Sequence, residues 1–325
     1  MAAEPFISIV VPAYNAEATL PGLIEAVLGQ GHPGGMELVI VDDGSTDRTA
    51  EIVKHYPGVR YIRQDNAGPA SARNLGAREA KGDFIFFTDS DCRPQRGWIA
   101  AMMDGFIKEN VAVVAGSYGI ANPSSALARV IHADIMFRHR VLMPLYPGAF
   151  GSYNFAVRRG MFEAVGGFND RYRRASGEDN DLSYKIIANG GRILFLKDAC
   201  VDHYHQESLP RYLKEQFRHG SWRVKMYMDH PGMMGGDGYT FWKDILEIPL
   251  AMAQAIIFFQ PLAGLVLMGA SLIFQVIFGR VIMGGWLSGA WAGVVLWLRA
   301  LARAAGFVFG GIVFFGGRYF SREKI

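Results

Sequence analysis

Three short apolar runs constrain this chain most: Ile7-Ser8-Ile9-Val10-Val11-Pro12, Glu37-Leu38-Val39-Ile40-Val41 and Phe84-Ile85-Phe86-Phe87-Thr88. Helix-like stretches, Ala18 to Leu28 and Thr46 to His55, lie between or just beyond them. Short continuous apolar strands alternating with helices specify a mostly parallel sheet covered on both faces. Ligands of such sheets bind beyond the carboxyl ends of the strands. Tyr14, Asp43 and Asp89 all fall at that edge, so a site is expected there.

The residues at that edge carry chemistry. Asp89-Ser90-Asp91 puts two carboxylates one residue apart at a strand end. Such a pair can hold a hard divalent cation when substrate phosphates complete the shell, or form a solvated turn. In Asp43-Gly44-Ser45-Thr46-Asp47, Gly44 permits a tight turn, and Ser45 or Thr46 is expected to cap the helix that follows. Tyr14 is either a packed aromatic or a platform for a nucleobase, with Asp43 bonding the base or ribose. Asn66 to Gly76 reads as a loop entering a helix, whose N-terminus with Arg73 suits a diphosphate. Gly177-Glu178-Asp179-Asn180-Asp181 is an acidic helix start, and one of its carboxylates is a candidate general base.

In this order the motifs resemble the family-2 group of inverting glycosyltransferases with the GT-A fold, over roughly Ile7 to Gly220. The resemblance implies a mixed, mostly parallel α/β sheet with helices on both faces. It implies nucleotide contacts at Pro12, Tyr14, Asn15, Glu17, Asp43 and Arg73, with Asp89 toward the ribose. The metal, Mn²⁺ or Mg²⁺, would be held by Asp91, with Asp89 and His203 as further ligands; His205 is a rival to His203. In Glu178-Asp179 the aspartate would be the catalytic base. Gly151 to Ala156 and Gly166-Gly167-Phe168 are similar to the family's acceptor-side segment. The implied reaction is a single displacement from a nucleotide-diphospho-sugar, UDP being the commonest donor nucleotide. The acceptor would be a lipid-linked or surface-glycan hydroxyl.

Charge and hydropathy bear on location. From Ile245 onward six basic and two acidic residues leave +4, and the remainder of the chain is −1. The basic excess flanks apolar segments rather than forming a patch on the folded domain, so membrane lipids are expected partners and nucleic acid is not. Ile248 to Gly279 is uncharged for 32 residues and Val281 to Leu298 for 18. A break at Pro261 would leave Ile248 to Gln260 in the interface and Leu262 to Gly279 as a first span, with Val281 to Leu298 returning. Ala304 to Gly317, glycine-rich and only 14 residues, reads as a terminal interfacial or re-entrant segment. Arg299, Arg303, Arg318, Arg322 and Lys324 after the second span place the C-terminus, and with it the catalytic domain, in the cytoplasm. The expected divisions are a catalytic domain at 1–208, an amphipathic connector at 209–247 and an inner-membrane region of transmembrane helices at 248–325.

Other signals agree or are declined. Met1 to Phe6 has no basic region or apolar core, so no cleaved leader is expected. Cys92 and Cys200 make no metal spacing along the chain and fit a reducing compartment. Gly29-Gln30-Gly31-His32-Pro33-Gly34 fits a dinucleotide fingerprint only literally, because it follows a helix and precedes a strand. Gln216 to Gly220 lacks the Arg and Trp of a processive synthase motif, which favours one sugar per acceptor. Leu209 to Tyr227 carries Arg211, Lys214, Arg218, Arg223 and Lys225 among apolar residues, and lies on headgroups or packs on the sheet. A sugar-nucleotide nucleotidyltransferase and a non-catalytic membrane scaffold are the alternatives. The first would not need Glu178-Asp179.

Overall fold

The computed structural model describes residues 4–172, 177–233 and 242–316. Two compact units make up the chain: Met1–Asn122 with His139–Tyr204, and Pro123–Arg138 with His205–Ile325. That Pro123–Arg138 joins the second unit is a feature no linear division of the chain shows.

The first unit is built on β1 (Ile7–Ala13), β2 (Met36–Asp42), β3 (Val59–Arg63), β4 (Phe84–Thr88), β5 (Cys92–Pro94), β6 (Val111–Ile120), β7 (Asn154–Arg158) and β8 (Arg192–His203). They form one sheet in the order β3-β2-β1-β4-β7-β6-β8-β5. The first four strands in that order are parallel, β7 runs against β4 and β6, and β5 against β8. The mostly parallel α/β sheet expected from the apolar runs is therefore present. Every side chain of β4 is buried, as a central strand covered on both faces requires. Between strands run α1 (Leu20–Leu28), α2 (Thr49–Lys54), α3 (Pro69–Glu79) and α4 (Trp98–Gly105). After α5 (Ala126–Phe137), which belongs to the second unit, come α6 (Arg159–Ala164) and α7 (Glu178–Ala188). Gly76 lets α3 settle on the sheet: a Cβ there would overlap Val10 Cγ1 and meet Val41 Cγ2 at 3.0 Å.

Two local expectations are corrected. Neither Ser45 nor Thr46 caps α2. Its N-cap is Arg48, which makes no side-chain cap bond, and Asp47 Oδ1 accepts the Thr49 N–H instead. Ser45 Oγ accepts from the Asn15 N–H, a contact across the strand-end loops that local sequence does not show. The run Arg192 to Leu196 suggests a last strand that ends there, but β8 continues past a bulge to His203, so His203 is a strand residue.

In the second unit α5 joins α8 (Leu209–Asp229), α9 (Trp242–Ala253), α10 (Pro261–Met283) and α11 (Trp286–Gly316). α10 and α11 are long and apolar enough to cross a membrane, by length and composition. Pro261 opens α10 as expected, but the turn between the two helices falls at Gly284-Gly285 rather than at Arg280. No separate terminal segment begins at Ala304, because α11 runs unbroken through Gly316; Gly317, Arg318, Arg322 and Lys324 lie outside the described residues. Helix α8 packs on α11. Gly306 and Gly310 meet the Phe217 and Ser221 backbone carbonyls, and Ser221 Oγ donates to Gly306 O at 2.9 Å. Small residues that let two helix backbones touch are the packing mode of helices in lipid.

Candidate active site

Loops at the carboxyl ends of β1, β2, β3 and β4 meet along one edge of the sheet. Asn15, at φ 49°, stitches the first to the second: its N–H donates to Ser45 Oγ and its Oδ1 accepts from the Thr46 N–H at 2.8 Å. The Glu17 N–H donates to Asp47 Oδ2, and Glu17 Oε2 accepts from Arg48 at 3.2 Å. Asp43 is buried. It accepts from Gln64 Nε2 (2.6 Å), the Ala67 N–H (2.8 Å) and the Gly68 N–H (2.9 Å), which ties the loop after β2 to the loop entering α3. Beside these fixed loops Pro12 is the penultimate residue of β1, and the Tyr14 ring is 53% exposed, open to a stacking partner.

Arg73 comes from the first turns of α3, which starts at Gly68 (φ 94°) with Pro69 in the first position. Its guanidinium is 4% exposed and lies among three carboxylates: Asp89 Oδ1 at 2.6 Å, Glu178 Oε1 at 3.3 Å and Asp179 Oδ1 at 4.0 Å. Burial opposes its charge, but Asp89, Asp179 and Glu178 together hold its pKa above the ordinary guanidinium value. The neighbouring Asn74 clasps the backbone of Phe168 through both amide groups, at 2.9 Å each, and Arg73 sits over the Phe168 ring. Thus α3 positions both Arg73 and the Gly166-Gly167-Phe168 segment.

Glu178 and Asp179 open α7. Glu178 is buried against Arg73, while Asp179 keeps 28% of its side chain exposed and its Oδ1 has no hydrogen-bond partner among the described residues. Burial first, then the Glu178 charge, push the Asp179 carboxyl up to about 7 against the pull of Arg73. Gly151 lies next to Asp179 and makes way for Tyr153: a Cβ there would clash with the Tyr153 ring at 2.5 Å and stand at ordinary contact, 3.6 Å, from Asp179 Oδ2.

On the other side of Asp89 the chain turns, with the Cys92 N–H donating to Asp89 O at 3.0 Å, and enters β5. Asp91 Oδ1 lies 3.4 Å from His203 Nε2. His205, the rival candidate, belongs to the second unit, where its Nε2 is 3.4 Å from His132 Nδ1. The structure therefore brings Arg73, Asp89, Glu178 and Asp179 into one cluster and pairs Asp91 with His203. Sequence reading missed Cys92, whose Sγ is within 4.8 Å of the Asp91 and His203 ligand atoms. Only its place directly after Asp91 could have signalled it.

Comparison with known proteins bears on the family and the fold. Residues 8–166 match the model of Glycosyl transferase family 2. The Pre-mycofactocin glycosyltransferase of Mycobacterium tuberculosis is 27% identical over 235 residues, covering 69% of this chain and 48% of that protein. The chain thus matches about half the length of that relative. Glycosyltransferase AglE of Haloferax volcanii is 25% identical over 230 residues, covering 69% of this chain and 75% of its own. Among solved structures, the mannosyltransferase PcManGT of Pyrobaculum calidifontis, in complex with GDP-Man and Mn²⁺, superposes with a TM-score of 0.62 at 18% identity. That match covers 95% of this chain and 88% of its own. GalNAc-T7 with UDP, GalNAc and Mn²⁺ gives 0.50 at 20% identity, covering 71% and 51%. The sheet order and the family match converge: residues 8–166 form a glycosyltransferase family 2 domain, and the chain has a GT-A-like fold.

Proposed function

We propose that the chain transfers one sugar, with inversion, from a nucleotide-diphospho-sugar to a lipid-linked or surface-glycan acceptor at a membrane. The observation that carries this reading is the Arg73 guanidinium ringed by Asp89, Glu178 and Asp179. A fixed cation at the start of a helix offsets the negative charge that develops on a departing nucleoside diphosphate. Asp179, held near neutral pKa and partly open, takes the proton from the acceptor hydroxyl as its oxygen attacks the anomeric carbon. Glu178 raises the proton affinity of Asp179 by its charge and anchors Arg73. The arrangement parallels inverting glycoside hydrolysis, with a sugar or lipid hydroxyl in place of water.

On the nucleotide side, Tyr14 stacks on the base beside Pro12, and Asp89 approaches the ribose. Asn15, Glu17 and Asp43 hold the loops in register, Asp43 with carboxylate capacity left for the base or ribose. UDP, the family's commonest donor nucleotide, is the first choice, with GDP and dTDP open; the superposed enzymes carry GDP-Man in one case and UDP in the other. Both also carry Mn²⁺. Asp91 and His203, with Asp89 nearby, offer the oxygen and imidazole donors that Mn²⁺ or Mg²⁺ accepts. Such an ion supplies Lewis-acid charge at the leaving diphosphate. We further assign residues 1–208 to catalysis, 209–247 to the connector and 248–325 to the inner membrane, with the catalytic domain on the cytoplasmic side where nucleotide sugars are made.

The test is a donor screen on detergent-solubilised protein with Mn²⁺ or Mg²⁺, following nucleoside-diphosphate release from UDP-, GDP- and dTDP-sugars. Metal-dependent release from one donor, lost in Asp91→Ala, is the expected result. No release, together with no metal-dependent nucleotide binding by calorimetry, would overturn the reading.

A further inference from the structure

Strand pairing places Cys92 directly opposite His203, on the antiparallel pair of β5 and β8. Residues opposite one another on such a pair project to the same face. Two further bonds fix Asp91 beside them: the turn from Asp89 to Cys92, and the Tyr204 N–H donating to Asp91 O at 3.0 Å. The ligand atoms that result are a carboxylate oxygen, an imidazole nitrogen and a sulfur, all within 4.8 Å of one another. Cys92 is fully buried, whereas Asp91 and His203 are partly open, so the thiol forms the floor of the cluster.

The separations discriminate between kinds of ion. An octahedral Mg²⁺ at about 2.1 Å from its ligands sets adjacent ligand atoms about 3.0 Å apart. A tetrahedral ion, with sulfur at about 2.3 Å and oxygen or nitrogen at about 2.0–2.2 Å, sets them about 3.3–3.6 Å apart. Here Asp91 Oδ1 is 3.4 Å from His203 Nε2 and 3.9 Å from Cys92 Sγ. The first falls within the tetrahedral range and the second about 0.3 Å beyond it, and both exceed the octahedral spacing. A sulfur donor also favours borderline-soft ions over Mg²⁺.

We propose that Cys92 is a third protein ligand of this centre, which makes it a tetrahedral Asp-Cys-His site selective for Zn²⁺-like ions, with one position left open. This rests on the proposed donor-metal site in sharing Asp91 and His203 with it. On binding, the ion takes the place of the thiol proton, which is released to solvent. Three protein ligands and an open fourth position are the pattern of reactive rather than structural zinc sites. The open position suits a phosphate oxygen of the donor. Zn²⁺ would then compete with Mn²⁺ for the same carboxylate and imidazole, so the ion in the cell would set which metal form of the enzyme is present.

The experiment titrates Co²⁺, a spectroscopic substitute for Zn²⁺, into the purified full-length protein. Wild type is expected to develop an intense near-ultraviolet thiolate-to-Co²⁺ charge-transfer band and strong visible bands of a tetrahedral ion, saturating at one Co²⁺ per chain and abolished by Zn²⁺. Cys200→Ser should keep the near-ultraviolet band, and Cys92→Ser should lose it. By competition calorimetry Cys92→Ser should weaken Zn²⁺ by about 100-fold or more, since even outer-shell partners are worth about 10–100-fold. Mn²⁺, indifferent to sulfur, should shift by less than about 3-fold. Co²⁺ bound by wild type without the band, or a band that survives Cys92→Ser, overturns the proposal whether or not the variants fold well. Mn²⁺ binding without the thiolate band defeats Cys92 alone and leaves the donor-metal reading standing. The thiolate band in a protein that releases no nucleotide from any donor does the reverse.

Discussion

Asp179 and Glu178 differ by one position and by their surroundings, and that difference assigns their roles. Glu178 is buried against Arg73; Asp179 is partly open with a proton affinity raised to about 7. Asp179→Asn is therefore expected to abolish sugar transfer while leaving donor binding within a few-fold, read as product formation against calorimetric nucleotide affinity. Turnover equal to wild type would remove Asp179 from the base role. Because a general base works ionised, the wild-type rate should rise with pH along a limb of apparent pKa about 7. The same group bears on stability with the opposite sign. A carboxyl whose folded pKa is raised from 3.8 to about 7 stabilises the fold fully below the lower value, and that contribution is lost as pH climbs through the upper one. Asn carries no charge at any pH, so the melting temperature of Asp179→Asn should gain on wild type between pH 4 and 7 and hold its lead above that. A difference that stays flat across that range would refute the raised pKa. At this scale the sequence was legible where a residue's neighbours are local, as in Asp89-Ser90-Asp91. It was opaque where the partner is far along the chain: Cys92 meets His203 only because β5 pairs with β8.

Among the elements, α3 has the most consequences for its length. It carries Arg73 toward the carboxylates and Asn74 toward Phe168, and it holds that attitude because Gly76 lies against β1 and β2. Gly76→Val should cost about 1–3 kcal/mol by overpacking, measured by chemical denaturation, and should lower turnover more than folding alone explains, since Arg73 moves with the helix. Unchanged stability would mean that the Val10 and Val41 side chains yield freely. The apolar runs made β1, β2 and β4 readable, because continuous burial leaves a one-dimensional trace. Helix ends left a poorer one. The Ser45-Thr46 pair looks like a cap, yet Ser45 Oγ is taken by the Asn15 N–H of another loop, and Asp47 serves the helix. Similarly, Arg299 and Arg303 mark an end of the second apolar span at Leu298 in the sequence, but α11 continues through both. A helix keeps its backbone bonds across charged positions when those charges find partners.

At the scale of the whole molecule, those arginines link parts of the chain that are far apart in sequence. Arg299 is 2% exposed, with Nη1 2.9 Å from Asp134 Oδ2 on α5 and Nη2 3.3 Å from Glu247 Oε1 on α9. Arg138 also reaches Asp134, at 3.0 Å, and Arg303 reaches Glu247, at 3.8 Å. The positive charge that the sequence suggested would sit at a membrane edge is thus partly held in an internal network of the second unit. Within this network α5, from the middle of the chain, is tied to its C-terminal helix. Desolvating two carboxylates and a guanidinium is costly, and the mutual attraction offsets that cost only while all partners stay. Arg299→Met should therefore destabilise this unit by about 3–5 kcal/mol, because it leaves Asp134 and Glu247 buried with less compensation. Adding Asp134→Leu and Glu247→Leu should restore much of the loss, since removing a whole buried network for apolar groups is often neutral or better. Thermal unfolding in detergent, followed by tryptophan emission from the helical unit, separates the cases. A single variant as stable as wild type would show that water reaches the carboxylates. A triple variant no better than the single would show that the network specifies how α5, α9 and α11 pack, rather than only neutralising charge.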